Sequence, residues 1–281
     1  MTGKIIRIIS NLYTVSANNK EYLCRARGKF RNDELTPLVG DIVVFDAEQN
    51  YILEIKERKN CLNRPTIANV DSCIIVSSCK RPDFSSLLLD KMITNVSLAD
   101  VRPIICFSKY DLMTEEEQKE FDKIVEYYNS IGIPTFINHD IEKLMEVIKD
   151  EIVVLTGQTG VGKSTLLNKI NPDFNLATND ISDALGRGKH TTRHVELFEV
   201  GSSLIADTPG FSALDVNKDD LMNIRFTFNE FENDLCKFSD CKHLCEKGCH
   251  IIEQVENGEI LPSRYESYKR MMSEWKHLFH F

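Results

Sequence analysis

Glu151 to Ile170 (EIVVLTGQTGVGKSTLLNKI) restricts what this chain can fold into more than any other stretch. The apolar run Ile152-Val153-Val154-Leu155 has the composition of a strand buried on both faces, as in parallel sheets covered by helices. Gly157, Gln158, Thr159, Gly160, Val161, Gly162, Lys163 and Ser164 then fit G-x-x-x-x-G-K-[ST], with Thr165 next. Helical composition continues until Pro172. Glycines let consecutive N–H groups face one anion, and the helix N-terminus adds partial positive charge. Lys163 is placed to reach the outer phosphates of a nucleotide, and Ser164 to bind Mg²⁺. The alternative is a glycine-rich connection, and the strand before it and the helix after it argue against that.

The alternation extends upstream. VDSCIIVSSC reads as a buried strand, FSSLLLDKMITNVSLAD as a helix with apolar spacing at Leu88, Met92, Ile93 and Val96, and Pro103 to Phe107 as the next strand. Thr114 with Glu117 makes a capping box for a helix striped by Phe121, Ile124, Val125 and Tyr128, and TFIN follows as a short strand. Strands alternating with helices predict a mainly parallel sheet with ligands at the carboxyl ends of its strands. Ser108, Lys109, Tyr110 and Asp111 sit at one such end and Gly157–Ser164 at another, so the two loops are candidates to share one site. Downstream, Ala177 to His194 reads as a mobile polar loop. HVELFEV and SSLIADT predict a hairpin about Gly201-Ser202 that delivers Asp207-Thr208-Pro209-Gly210. An aspartate at that point, downstream of a phosphate loop, is where such proteins hold Mg²⁺.

The first 65 residues have a different texture. IIRIIS, LYTVSA, EYLCRA, DIVVFDA and YILEIKE are short β-type runs separated by polar turns such as Ala17-Asn18-Asn19, which predicts a small barrel of the oligonucleotide-binding (OB) type. Arg25, Arg27, Lys29 and Arg31 lie close to Tyr22 and Phe30, a mixture suited to RNA phosphates and bases. A strand edge guarded by charge is the competing explanation.

Beyond about Val216 the pattern is helical and more polar. It contains Cys236-x4-Cys241-x-His243-x5-Cys249, and these ligand types in one short segment suit a tetrahedral, structural Zn²⁺ with no position left for water. Cys245 is a fifth candidate, so counting alone does not fix the set. Clustering of four of the nine cysteines here favours metal over disulfides. Ser263 and Glu266 predict a cap for a final helix whose stripe is Tyr265, Tyr268, Met272, Trp275 and Phe279. The net charge of −9 argues against a surface coated in positive charge for nucleic acid, while leaving room for basic patches. No apolar run approaches the ~18 residues of a membrane span, and MTGKIIRIIS lacks a secretory apolar region, so the expected location is the cytoplasm.

Ser108-Lys109-Tyr110-Asp111 is close to the guanine-reading motif NKxD, which ordinary GTPases place after the phosphate loop and DTPG; here it precedes both. That order, together with ARGKF, VGD, GRGKHTTR, DTPGF, CKFSDCKHLCEKGC and RYESY, resembles the RsgA (YjeQ) family of circularly permuted ribosome-assembly GTPases over nearly the whole chain. The resemblance implies an OB barrel over 1–65, a circularly permuted α/β P-loop GTPase domain over 66–215, and a mostly helical zinc domain over 216–281. It implies GTP/GDP and Mg²⁺ as ligands, one structural Zn²⁺, and the small ribosomal subunit and its rRNA as partners; a monomer is the default expectation. By position it assigns Thr192, with Thr191 as neighbour, to Mg²⁺ and the γ-phosphate, and Asp207 to the metal shell. Gly210 becomes the γ-phosphate sensor, and Cys236, Cys241, His243 and Cys249 the zinc ligands, leaving Cys245 outside. Phe211 follows DTPG where many small GTPases carry a water-positioning glutamine, and His190 is the family's candidate for that task. Two positions depart from the pattern: Ser108 replaces the asparagine of NKxD, and Asn138-His139 replaces the Ser-Ala of the other base-contacting loop. A P-loop kinase would need an acceptor pocket and a base aimed at it, which the motifs do not supply. A vestigial site is hard to reconcile with intact Lys163, Ser164, Thr192 and Asp207.

Overall fold

The structure, a computed structural model, describes residues 1–26, 30, 36–63, 66–174, 195–207, 223–232 and 235–278. The chain divides into two compact units, Met1–Ile74 with Asp140–Ala213 and Ile75–His139 with Leu214–Phe281.

The first unit opens with strands β1 (Thr2–Ile9), β2 (Leu12–Ala17), β3 (Lys20–Ala26), β4 (Ile42–Asp46) and β5 (Tyr51–Ile55). Asn18 and Asn19 both take positive φ (51° and 57°), which asparagine tolerates and which matches the twist of a tight hairpin between β2 and β3. Pairing runs β1–β2–β3, then β3 parallel to β5, β5 to β4, and β4 back to β1, so the five strands close into the expected barrel. Period-two alternation sends Ile5, Val15, Cys24, Val43, Phe45 and Ile52 inward, each fully buried. Closure removes free edges from a unit too small to hide them otherwise.

The Val39-Gly40-Asp41 turn fastens this barrel to the chain that leaves it. Gly40 has φ 89°, and a Cβ there would lie 2.0 Å from the Ala68 carbonyl oxygen, so only glycine fits. The buried Asp41 carboxylate accepts from Arg58 Nε at 2.7 Å, Arg58 Nη2 at 2.8 Å and the Leu38 amide at 2.7 Å. A short hairpin, β6 (Cys61–Asn63) with β7 (Thr66–Ala68), follows.

Strand β8 (Ser72–Ser78), buried along its whole length, carries the chain into the second unit. There it is followed by α1 (Ser86–Leu98), β9 (Arg102–Ser108), α2 (Glu115–Ser130) and β10 (Thr135–Ile137). The predicted capping box is present at α2: the Thr114 hydroxyl accepts from the Glu117 amide and Glu117 accepts from the Thr114 amide. On α1 the buried side is Leu89, Asp90, Ile93, Thr94 and Val96, while the expected Leu88 and Met92 are half-buried. The face is rotated because a charged partner for Asp90 comes from the far end of the sequence.

The chain then returns to the first unit with α3 (Ile141–Val147), β11 (Ile152–Thr156), α4 (Lys163–Ile170), β12 (Glu196–Val200) and β13 (Ser203–Asp207). β11 is parallel to β13, and β13 and β12 form the expected antiparallel hairpin. β12 pairs with β1 of the barrel, where Arg7 Nη1 donates to Glu196 Oε1 at 3.0 Å.

The second unit is completed by two 3-10 turns (Ile224–Thr227, Asn229–Phe231), a cysteine-rich segment, α5 (His250–Glu256) and α6 (Pro262–Leu278). Its core gathers Ile224, Phe228, Phe231, Ile251, Tyr265, Tyr268 and Met271. Helix α6 starts at Pro262, so Ser263 lies inside its first turn and is not its cap; Glu266 pairs instead with Lys269 at 2.6 Å. Proline suits that first turn because its missing N–H has no helical partner there anyway. Among the described residues, no helix is long and apolar enough to cross a membrane.

Candidate functional site

Three constellations stand out, and each is fixed by the element that carries it. The first is the turn from β11 into α4. β11 is buried at every position, and the chain then bends through Gly157, Gly160 and Gly162 with φ of 148°, 79° and 95°. These positive angles are what glycine permits, and they turn successive N–H groups towards one side. Lys163 Nζ folds back to donate to the carbonyls of Gly157 and Gln158, both at 2.7 Å, and burial lowers its pKa. A cation held over a nest of amides is poised for a polyanion, which would hold the ammonium charged. Ser164 and Thr165 occupy the first turn of α4. Leu204 pairs with Ile152 and Ile205 with Val153, and the same offset sets Asp207 level with Leu155 at the carboxyl end of the neighbouring strand. His190, Thr191, Thr192 and Gly210 lie outside the described residues.

The second is the end of β9. Ser108 is 3% exposed, and its hydroxyl donates to the Ser77 carbonyl at 3.4 Å. Lys109 takes φ 58° and its ammonium donates to the Arg81 carbonyl. Tyr110 to Leu112 form a 3-10 turn that exposes Asp111. α2 holds this turn, since Tyr110 donates its hydroxyl to Asp122 at 2.7 Å and Gln118 donates to the Tyr110 carbonyl at 3.2 Å. Lys80 pairs with Glu117 at the start of the same helix.

The third is a metal-type cluster. Cys236, Cys241, His243 and Cys249 each offer a ligand atom, all within 4.8 Å of one another, with three of the four residues buried. His243 Nδ1 is 3.5 Å from both Cys236 Sγ and Cys249 Sγ, and those two sulfurs are 3.8 Å apart. A tetrahedral Zn²⁺ with Zn–S of about 2.3 Å and Zn–N of about 2.05 Å has S···S edges of about 3.8 Å and S···N edges of about 3.6 Å. The donor set fits that ion, and Cys245 is exposed outside the group. The shell around it is anchored. Tyr265 donates to the His243 carbonyl at 2.8 Å, Tyr268 to the Lys242 carbonyl at 2.7 Å and Arg225 to the Cys241 carbonyl at 3.0 Å. Burial works against ionisation of Glu246, but the amides of Cys245, Leu244 and Lys242 draw its carboxyl down to about 2. The carboxylate thus stays charged and holds the turn between the ligands.

Sequence reasoning missed the polar core beneath this cluster. Arg264, fully buried, donates from Nη1 to Asp90 at 2.7 Å and from Nε to Glu230 at 2.9 Å. Its guanidinium carbon lies 4.0 Å from the centre of the Phe228 ring, and Tyr128 also donates to Asp90, at 2.7 Å. The visible signal was an aspartate on the apolar face of α1. The basic–aromatic run of the barrel is corrected in one respect. Phe30 is buried in the barrel core, so its ring is no platform for a base, while Tyr22 is half-buried with its ring against Phe45. Leu23 and Arg25, on the opposite face of β3, are exposed, while Arg27, Lys29 and Arg31 lie outside the described residues.

Comparison with known proteins agrees with this arrangement. A model of the RsgA GTPase family matches residues 55–217, and one of the RsgA N-terminal domain matches residues 2–52. The small ribosomal subunit biogenesis GTPase RsgA of Geobacillus sp. (strain WCH70) is 45% identical, over 98% of this chain and 97% of its own. Its counterpart RsgA 1 of Listeria monocytogenes serotype 4b (strain F2365) is 44% identical, over 98% of each. Among solved structures, YloQ, a circularly permuted GTPase, superposes with a TM-score of 0.85 at 37% identity, covering 98% of this chain and 95% of its own. YjeQ from Thermotoga maritima gives 0.83 at 34%, covering 98% of each.

Proposed function

The chain belongs to the RsgA GTPase family, and on that premise we propose that it hydrolyses GTP to time a step in maturation of the small ribosomal subunit. It binds the subunit and its rRNA in the GTP state, as a cytoplasmic monomer, and leaves after hydrolysis. The observation that carries this reading is the order of the loops on the fold. A base-type loop closes the carboxyl end of β9 and a phosphate-type loop closes that of β11, with the aspartate of DTPG last. Three domains divide the labour: a barrel over 1–65, the GTPase domain over 66–215 and a zinc domain over 216–281.

In this reading the amides of Gly157 to Ser164 and the Lys163 ammonium hold the phosphates, Asp111 accepts from the guanine N1–H and N2 amino group, and Lys109 lies over the base. Ser164, Thr192 and Asp207 hold Mg²⁺, which supplies neutralisation of phosphate charge. His190 orients the attacking water, since Phe211 cannot. Gly210 senses the γ-phosphate. Cys236, Cys241, His243 and Cys249 hold a structural Zn²⁺, consistent with a closed donor set.

GTP and ATP hydrolysis by the purified chain, with and without small ribosomal subunits, tests this. Slow guanine-specific turnover that rises sharply with subunits, and fails to rise in His190→Ala, is the expected result. Unchanged turnover with subunits would remove the ribosome from the reading, and a full rise in His190→Ala would remove the histidine.

A further inference from the structure

The two departures from the guanine-reading pattern fall on neighbouring strand ends. Serine stands at 108, where the pattern has asparagine, and an asparagine stands at 138, just past β10. β9 and β10 are parallel, with Thr135 opposite Ile105, Phe136 opposite Cys106 and Ile137 opposite Phe107. The Asn138 amide donates to the Phe107 carbonyl at 2.8 Å, which adds a further rung and sets Asn138 level with Ser108. Side chains at one level of a parallel pair leave on the same face. Ser108 is buried, with its hydroxyl proton turned to the Ser77 carbonyl of β8, whereas Asn138 is half-buried and reachable from solvent.

Guanine offers donors at N1 and N2 and acceptors at O6 and N7. The exposed Asp111 accepts only, so it complements the donor edge. The acceptor edge needs a donor, and the Ser108 hydroxyl is already engaged with Ser77. A carboxamide carries two donor hydrogens. We propose that Asn138 is a specificity-determining residue of the nucleotide site, its side-chain amide donating to the O6/N7 edge of guanine and supplying from β10 the group that β9 lacks. The inference rests on the guanine-nucleotide reading above.

Displacement of a fluorescent GDP from the full-length protein, with GDP and ADP as competitors, tests it. Asn138→Ala weakens GDP about tenfold, the loss expected when a desolvated acceptor goes unmatched. Asn138→Asp puts an acceptor against O6 and N7. It loses more GDP affinity and narrows the preference for GDP over ADP, because adenine presents an amino group where guanine has O6. A purely structural asparagine would not shift that preference. Adding Ser108→Asn to Asn138→Ala restores most of the GDP affinity; should that pair fail to fold at the buried position 108, the aspartate variant decides alone. GDP binding by Asn138→Ala and Asn138→Asp within about twofold of the parent overturns the proposal and leaves the nucleotide reading standing. A parent chain that binds no guanine nucleotide overturns both.

Discussion

The residues 236–250 hold four cysteines and two histidines, more ligands than one tetrahedral ion takes. Spacing cannot choose among them, because any thiol on a short loop can swing inward. The fold chooses by backbone. His243 sits in a left-handed conformation (φ 56°) that aims Nδ1 at Cys236 and Cys249, and Tyr265 clamps its carbonyl. His250 is turned aside, its Nδ1 accepting from the Leu235 amide at 3.3 Å. Metal analysis of purified variants checks the choice. Cys245→Ser is expected to keep about one zinc per chain, and Cys236→Ser to fall towards none. Full retention in Cys236→Ser would mean that Cys245 or His250 completes the set.

At the scale of elements, α1, α2 and α6 of the second unit are joined by charge as well as by apolar packing. Burial alone would favour a neutral Arg264, but Glu230 and Asp90 hold the guanidinium firmly charged. Burial pushes the Asp90 carboxyl up, against the pull of Arg264 and its hydrogen bonds from Ser267 and Tyr128. Removing one member strands the others. Arg264→Ala is expected to destabilise the second unit by about 3–5 kcal/mol, read as a lower denaturation midpoint. Arg264→Lys should recover only part, since a single ammonium cannot reproduce the fork to two carboxylates. An Arg264→Ala midpoint equal to the parent's would show the cluster to be dispensable. Here the limit of sequence reading is physical. The barrel runs, the capping box at Thr114 and the strand–loop–helix at 152–170 are local, set by period, capping and glycine, and were legible. The rotation of α1 towards Asp90 depends on an arginine 174 positions away, and the start of α6 at Pro262 overrode a capping pattern that was locally sound. Short-range rules see neither, because burial of polar groups is decided by partners that only tertiary structure supplies.

For the whole molecule the constraint is charge. Asp and Glu outnumber Lys and Arg by 43 to 34, so the long-range field repels RNA. Binding of rRNA then has to run through a small basic area whose contacts outweigh that repulsion at short range. The barrel offers a dense run, Arg25, Arg27, Lys29 and Arg31, of which Arg25 is exposed on β3, with Phe30 sunk into the core beside it. If the four cations of that run carry the phosphate contacts, affinity for small subunits should fall with salt at a logarithmic slope of about −3, shallow for a nucleic-acid binder, since each single-strand contact contributes about −0.7. Arg25→Ala should make the slope shallower by about 0.7, one phosphate's worth, without changing GTP turnover in the absence of subunits. Affinity measured across a salt series in the presence of a GTP analogue decides the matter. A slope steeper than about −6 would require basic contacts beyond the barrel, and an Arg25→Ala slope equal to the parent's would place the RNA elsewhere on the chain.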